Sequence, residues 1–120
     1  MGRYLRDRGL TVVGVDLSVS CVRTAKRCKL GMLLPAGDLA QLPFASEAFV
    51  GAVADHSLIH TSNRFLHILL QELPRAMAPG GRLLLAVEEG TEEGFAQERL
   101  CVSVPVYFAR FTWEEVGRVL

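Results

Sequence analysis

The chain has 120 residues, of which 50% are hydrophobic and 22% are charged, with 13 basic and 13 acidic side chains. Balanced charge gives no net field that would attract nucleic acid or an anionic membrane surface, and no apolar run approaches the roughly 18 residues of a membrane span. We therefore expect a single cytoplasmic domain over residues 1–120, with no nucleic-acid or membrane partner and no signal peptide at its start.

The three cysteines are odd in number and lack the short spacings of metal sites and redox motifs. Reduced thiols of this kind are typical of a reducing compartment. We interpret Cys21, Cys28 and Cys101 as packing residues and predict no metal site.

The first elements are a short helix and a strand. Residues Gly2 to Arg8 can form two helical turns that stop at Gly9. Thr11 to Ser18, T-V-V-G-V-D-L-S, then reads as a buried parallel strand that ends in a carboxylate, with Ser18 placed to cap the next helix.

Asp16 is the first candidate site residue. In an open α/β sheet, ligands bind beyond the carboxyl ends of the strands, and a nucleoside ribose there needs paired acceptors for its two hydroxyls. The alternative is that Asp16 serves only as a cap or dipole partner of the following helix.

A second helix and strand follow. Apolar residues at helical spacing predict a helix over Val19 to Leu30, with Gly31 as its C-cap. Met32 to Ala36 is predicted as an edge strand, broken by Pro35, that leads into Gly37-Asp38-Leu39. A second acidic residue therefore stands at the end of a second strand.

The middle of the chain repeats the alternation. Phe49 to Ala54 is predicted as a third strand, and Asn63 to Ala78 as a helix. Arg82 to Val87, R-L-L-L-A-V, is predicted as a central parallel strand with both faces buried.

The last third begins with Glu88 to Glu98, which reads as a polar loop, followed by an extended segment over Val102 to Phe108. Thr112 and Glu115 form a capping-box pattern that opens a last helix. The alternation of strands and helices over the whole chain predicts a right-handed parallel α/β sheet.

Four successive motifs carry a resemblance: V-V-G-V-D-L-S, G-D-L-A-Q-L-P-F, F-V-G-A-V-A-D-H-S-L-I-H and E-L-P-R-A-M-A-P-G-G-R-L-L-L-A-V. In this order and at these separations the chain resembles a class I S-adenosylmethionine-dependent methyltransferase over nearly its whole length. The resemblance implies a Rossmann-like, mostly parallel sheet with flanking helices, S-adenosyl-L-methionine as cofactor, and methyl transfer as the activity.

The resemblance also implies roles for the residues that follow the first two strands. Asp16 would accept hydrogen bonds from the ribose hydroxyls, and Leu17 would pack beside the adenine. Asp38 would lie by the adenine amino group, with Gly37 letting the backbone approach and Leu39 flanking the ring.

The resemblance implies further roles for the segment that follows the third strand. Asp55, His56 and Ser57 would line the methionine end of the cofactor. His60 would lie near the substrate mouth, or would be a helix-start histidine bonded to backbone. Methyl transfer depends more on in-line positioning and desolvation than on a dedicated base, so the sequence assigns no catalytic residue.

The chain also departs from the family pattern. The family's first strand and glycine-rich turn have no counterpart here, and Val50 stands where an aspartate is usual. These departures predict an incomplete methyltransferase fold whose activity is weakened or lost. They also predict that the segments Thr11 to Val15 and Phe49 to Ala54 pair directly, or that the chain forms a homodimer through exposed sheet edges.

Two alternatives to the enzyme remain open at this point. One is a non-catalytic, methyltransferase-like domain that binds a partner, and the other is a different nucleoside-binding α/β protein, which the absent glycine turn disfavours. The sequence does not identify the methyl acceptor, for which we favour a small molecule.

Overall fold

The computed structural model describes residues 1–96 and 104–120. The chain divides into two compact units, Met1–Pro43 and Phe44–Leu120, and each is described by itself.

The first unit contains two helices, α1 (Gly2–Arg6) and α2 (Val19–Arg27). The predicted cap of α2 is confirmed, because the Ser18 hydroxyl accepts a hydrogen bond from the Cys21 N–H at 3.2 Å. The predicted C-cap is wrong. The helix ends at Arg27, and Lys29 adopts the left-handed φ of 48° that ends the helix before Gly31 is reached.

Parallel backbone pairing in the first unit joins two extended segments. Val13 pairs with Leu33 and Asp16 pairs with Ala36, and both bridges are parallel. Pro35 lies between the two bridges and has no N–H to donate, so the ladder is interrupted and neither segment forms a continuous strand. The prediction that Thr11 to Ser18 is buried is wrong, since Val12 to Val15 are only partly buried and the other four residues are exposed.

The packing role predicted for the cysteines is also wrong for two of the three. Val22 is the buried residue of α2, and the seven-residue spacing keeps Cys21 and Cys28 together on a face that stays exposed. Cys101 lies outside the described residues.

Within residues 44–96 and 104–120, the second unit contains four strands, a 3₁₀ turn and two helices. In chain order they are β1 (Phe49–Asp55), the 3₁₀ turn Asn63–Phe65, α3 (Leu66–Ala76), β2 (Met77–Ala86), β3 (Glu93–Ala96), β4 (Val106–Ala109) and α4 (Trp113–Val119).

β1 and β2 pair in parallel, with Gly51 opposite Arg82 and Asp55 opposite Ala86. A bulge precedes this register, where Gly80 takes a φ of 77°. The α/β class and the parallel pairing are therefore confirmed. Burial on both faces of β2 is not, because Leu84 is 56% exposed while its neighbours are half-buried, which is the two-residue alternation of a half-covered strand.

The core of the second unit lies around α3, which contacts both β2 and α4. The largest fully buried side chains are Leu58, Leu70, Phe111 and Val116. The helix predicted to run to Ala78 ends at Ala76, where the chain passes directly into β2.

The end of the unit is a hairpin followed by a helix. β3 and β4 pair antiparallel, so a strand lies inside the segment that was predicted to be a loop, Glu88 to Glu98. The predicted strand begins at Val106 in the described residues; 102 and 103 lie outside them. The capping box is confirmed, since Thr112 and Glu115 each bond the backbone N–H of the other.

One carboxylate joins the hairpin to the start of α3. Glu93 Oε2 accepts hydrogen bonds from the Asn63 N–H and from the Tyr107 hydroxyl, both at 2.8 Å. The bond from the Asn63 N–H, followed by the bond from Tyr107, lowers the pKa of Glu93 below its usual value. The ionised carboxylate is thus the form that the folded chain favours.

We expect the Glu93 contacts to make stability depend on pH. A lowered folded-state pKa contributes stability above the pKa of the unfolded chain, and that contribution disappears as the pH falls through the lowered value. Glu93→Gln should therefore melt below the wild type at pH 7, and the difference should shrink on acidification.

Thermal melts from pH 7 downward measure this effect. Glu89→Gln is the matched control, since its exposed side chain accepts no hydrogen bond from the described residues. A Glu93→Gln melting difference that stays constant with pH would contradict the interpretation.

Candidate functional site

Asp16 lies at the end of the paired segment of the first unit and is exposed. Its Oδ1 accepts a hydrogen bond from the Ser18 N–H at 2.8 Å, so part of its predicted role as a local cap is real. No hydrogen bond to its second oxygen, Oδ2, is found among residues 1–96 and 104–120. A carboxylate has lone pairs on both oxygens, and Asp16 therefore keeps acceptor capacity toward a ligand.

Asp38 lies at the same edge of the first unit. The Gly37 N–H donates to the Asp16 carbonyl at 3.0 Å, and this bond brings Asp38 one residue beyond the paired end. Asp38 Oδ1 accepts from the Ala40 N–H at 2.8 Å, which repeats the turn made by Asp16. The pairing therefore brings two carboxylates to one edge of this unit, each fixed by a bond to the backbone two residues later.

Gly37 is required by the packing between these carboxylates. A β-carbon there would lie 2.8 Å from Pro43 Cδ and 2.9 Å from Val15 Cγ2, both closer than real contacts allow. The missing side chain at Gly37 therefore makes room for Pro43 and Val15 of the same chain. The neighbouring apolar residues are available as contact surface, since Leu17 is 73% exposed and Leu39 is half-buried.

In the second unit, β1 ends in Asp55, and His56 follows with a φ of 53°. The His56 N–H donates to the Ala86 carbonyl at 3.0 Å, and its Nδ1 lies 2.8 Å from Asp55 Oδ1. Ser57 Oγ lies 3.5 Å from the Asp55 carbonyl oxygen. The structure thus brings Asp55, His56 and Ser57 together at the carboxyl end of one strand.

His60 is bonded to the backbone. Its Nδ1 lies 2.7 Å from the Tyr107 carbonyl, and the Ala109 N–H donates to the neighbouring Ile59 carbonyl at 2.7 Å. Because a carbonyl only accepts, Nδ1 carries the proton in this bond. The alternative predicted for this histidine, a bond to backbone, is therefore present, and a role near the substrate stays a prediction.

Sequence reasoning missed a polar cluster beside this segment. Besides its bond to Glu93, Asn63 donates from its amide nitrogen to the Arg110 carbonyl at 3.2 Å. Arg110 reaches Glu92 Oε2 at 3.2 Å and Glu88 Oε2 at 3.4 Å, and these carboxylates raise its pKa. The acidic run E-E-G-T-E-E-G was a signal of such pairing, but its partners lie 18 to 30 residues away along the chain.

Two further expectations concern metals and membranes. Within the part of the chain that the structure describes, no group of three or more histidine, cysteine, aspartate or glutamate side chains is arranged to hold a metal ion. No helix in those same residues has the length and apolar character needed to cross a membrane.

Comparison with known proteins identifies methyltransferases that are similar to this chain in sequence. A family model described as a methyltransferase domain matches residues 1–85. A demethylmenaquinone methyltransferase from Beutenbergia cavernae is 35% identical over 82 residues, which are 68% of this chain and 33% of that protein. The O-methyltransferase resE from Aspergillus sclerotiorum is 33% identical over 85 residues, which are 65% of this chain and 31% of that protein.

Solved structures match over more of the chain. An S-adenosylmethionine-dependent methyltransferase from Methanosarcina mazei superposes with a TM-score of 0.84 at 18% identity, covering 98% of this chain and 70% of that one. The 1,6-didemethyltoxoflavin-N1-methyltransferase from Burkholderia thailandensis, solved with 1,6-didemethyltoxoflavin and S-adenosylhomocysteine bound, gives 0.68 at 20% identity, covering 98% and 51%. These likenesses show the Rossmann-like fold.

The chain spans about a third of the length of the curated relatives it matches. The family match covers residues 1–85 and includes both strand-end carboxylates of the first unit as well as Asp55, His56 and Ser57. The chain belongs to the methyltransferase domain family.

Proposed function

We propose that this chain binds S-adenosyl-L-methionine and supports transfer of its methyl group to a small-molecule acceptor. The observation that carries the proposal is the pair of strand-end carboxylates, Asp16 and Asp38, at one edge of the first unit within a chain of this family. The cofactor supplies an electrophilic methyl group on a sulfonium. The chain's own residues bind and orient it.

The residues of the first unit fit the adenosine part of that cofactor. The ribose offers two hydroxyl donors. Asp16 is exposed, and its Oδ2 takes no part in the hydrogen bond that Oδ1 accepts from the Ser18 N–H. Asp38 offers the same kind of acceptor to the adenine amino group, and Leu17 and Leu39 offer apolar surface to the ring. Both carboxylates are held in place before the ligand arrives, because each is bonded to backbone.

The roles that the resemblance implies for the second unit remain part of the proposal. Asp55, His56 and Ser57 lie at the carboxyl end of β1, the end at which ligands bind in sheets of this class. We assign this strand end to the methionine portion of the cofactor, and His60 to the acceptor.

The acceptor class is inferred from the names of two proteins. The Beutenbergia relative is named for demethylmenaquinone and the Burkholderia structure contains 1,6-didemethyltoxoflavin, both small molecules. We propose an acceptor of this class for the present chain. Conversion of bound S-adenosylmethionine to S-adenosylhomocysteine with a small acceptor separates this function from the alternative of a non-catalytic binding domain.

Substitution of Asp16 tests ribose binding. Asp16→Asn keeps a carbonyl oxygen that can accept from the Ser18 N–H, but it loses the charge and one acceptor oxygen. Because a hydrogen bond to a charged group contributes about 1.5–3 kcal/mol, we expect S-adenosylhomocysteine to bind roughly ten- to a hundredfold more weakly, with an unchanged melting temperature.

Isothermal calorimetry and thermal melts measure the two effects separately. Asp16→Ala should lose both affinity and stability, whereas Asp7→Asn in the first unit should change neither the affinity nor the ligand-induced rise in melting temperature. If the wild type binds and Asp16→Asn binds equally well, Asp16 acts only as a cap.

Substitution of Asp38 tests adenine recognition. S-inosylhomocysteine carries a carbonyl in place of the adenine amino group, so it presents an acceptor where Asp38 needs a donor. We expect the wild type to prefer S-adenosylhomocysteine by about tenfold or more, and Asp38→Ala to lose most of that preference. Equal discrimination by the wild type and Asp38→Ala in calorimetry would remove Asp38 from the adenine site.

A further inference from the structure

We propose that His56 is the general base that removes a proton from a hydroxyl-bearing methyl acceptor, with Asp55 as its positioning residue. The pair stands directly after β1, with His56 Nδ1 2.8 Å from Asp55 Oδ1. The inference rests on the proposed function, in which this strand end holds the methionine portion of the cofactor. Because the transferred methyl group is bonded to the sulfur of that portion, a residue at this strand end can also act on the acceptor that receives the methyl group.

The contact with Asp55 determines where the imidazole carries its lone pair. A carboxylate can only accept, so the proton of this hydrogen bond belongs to His56 Nδ1. When the ring is neutral, its lone pair is therefore on Nε2. No hydrogen bond to Nε2 is found among the described residues, and the His56 side chain is 52% exposed. Nε2 is thus free to take a proton from a bound molecule.

The backbone conformation of His56 is also fixed by a hydrogen bond. His56 has a left-handed φ of 53°, a conformation that costs energy for residues other than glycine and that clusters at functional sites. The His56 N–H donates to the Ala86 carbonyl at the end of β2, which holds this conformation. His56 is therefore held at two points beside the strand end, through its backbone N–H and through its ring Nδ1.

The other histidines of the chain have different surroundings. His60 donates its Nδ1 proton to a backbone carbonyl, and His67 lies exposed on α3. A carbonyl orients an imidazole, but an ionised carboxylate also stabilises the imidazolium that forms when the base is protonated. His56 is the histidine that has such a carboxylate among the described residues.

The proton and electron balance is simple. The acceptor O–H proton moves to His56 Nε2, and the electrons of that bond remain on the oxygen. The oxygen forms a bond to the methyl carbon, while the carbon–sulfur bond breaks and its pair stays on sulfur as a neutral thioether. His56 then returns its proton to water, and the net product is a methyl ether and one released proton.

The tautomer can be measured without any reaction. In ¹⁵N-labelled protein at a pH where the ring is neutral, long-range ¹H–¹⁵N spectra should show His56 protonated at Nδ1. Asp55→Ala should abolish that preference and Asp55→Glu should restore part of it. A wild-type ring protonated at Nε2, or a tautomer that is unchanged in Asp55→Ala, would overturn the assignment.

The catalytic role is tested with two methyl acceptors, of which only one must lose a proton before it can be methylated. 1-Naphthol is un-ionised at pH 7 and must lose a proton, whereas 4-nitrothiophenol is already an anion. Since general bases typically contribute 10²–10⁴-fold, His56→Gln should lower kcat with 1-naphthol by about that factor and lower kcat with 4-nitrothiophenol far less, so that the ratio of the two kcat values falls. His67→Gln is the matched control and should leave both rates unchanged.

Binding of S-adenosylhomocysteine separates the two levels of the proposal. A wild-type chain that does not bind it refutes the proposed function itself. If the wild type binds it and His56→Gln retains its rate with 1-naphthol, only the role of His56 as a base is refuted. A wild type that binds the cofactor and methylates 4-nitrothiophenol but not 1-naphthol also refutes a competent base.

Discussion

Parallel backbone pairing is the constraint on which the candidate cofactor-binding residues of this chain depend. Strands that run in the same direction end at the same edge, so whatever follows them meets there. In the first unit this pairing brings Asp16 and Asp38 to one edge, and in the second it places His56 against the carbonyl of Ala86. The candidate site residues therefore lie on short segments that are positioned by main-chain hydrogen bonds.

The parts of the structure that the sequence could predict are those decided by neighbouring residues. Ser18 caps α2, and Thr112 and Glu115 form a capping box, because each bond spans only three residues. The positions of the strand-end carboxylates followed from short apolar runs that stop at an acidic residue. Met32 to Ala36 was predicted as an edge strand and forms only two isolated bridges, but the predicted break at Pro35 is present, since a missing N–H is a property of one residue.

What the sequence could not predict depends on partners that are distant along the chain. A run of three leucines is compatible with burial on both faces or on one, and only the covering elements decide that Leu84 is exposed. Glu93 was predicted to lie in a loop, yet its carboxylate accepts a hydrogen bond from the N–H of Asn63, thirty residues earlier in the chain. The left-handed backbone of His56 likewise depends on a bond to β2, because nothing in D-H-S requires it.

At Asp16 the structural and the functional interpretations prove compatible. Asp16 Oδ1 bonds the Ser18 N–H, which is the cap that a cautious reading of the sequence expects. That bond leaves the other oxygen able to accept and fixes the orientation of the carboxylate, so in the proposed cofactor complex the local turn would lower the entropy lost on binding. The same reasoning applies to Asp55, whose bond to His56 orients a ring while leaving Nε2 available. In both places a local hydrogen bond orients a side chain and leaves one of its polar atoms available for the proposed function.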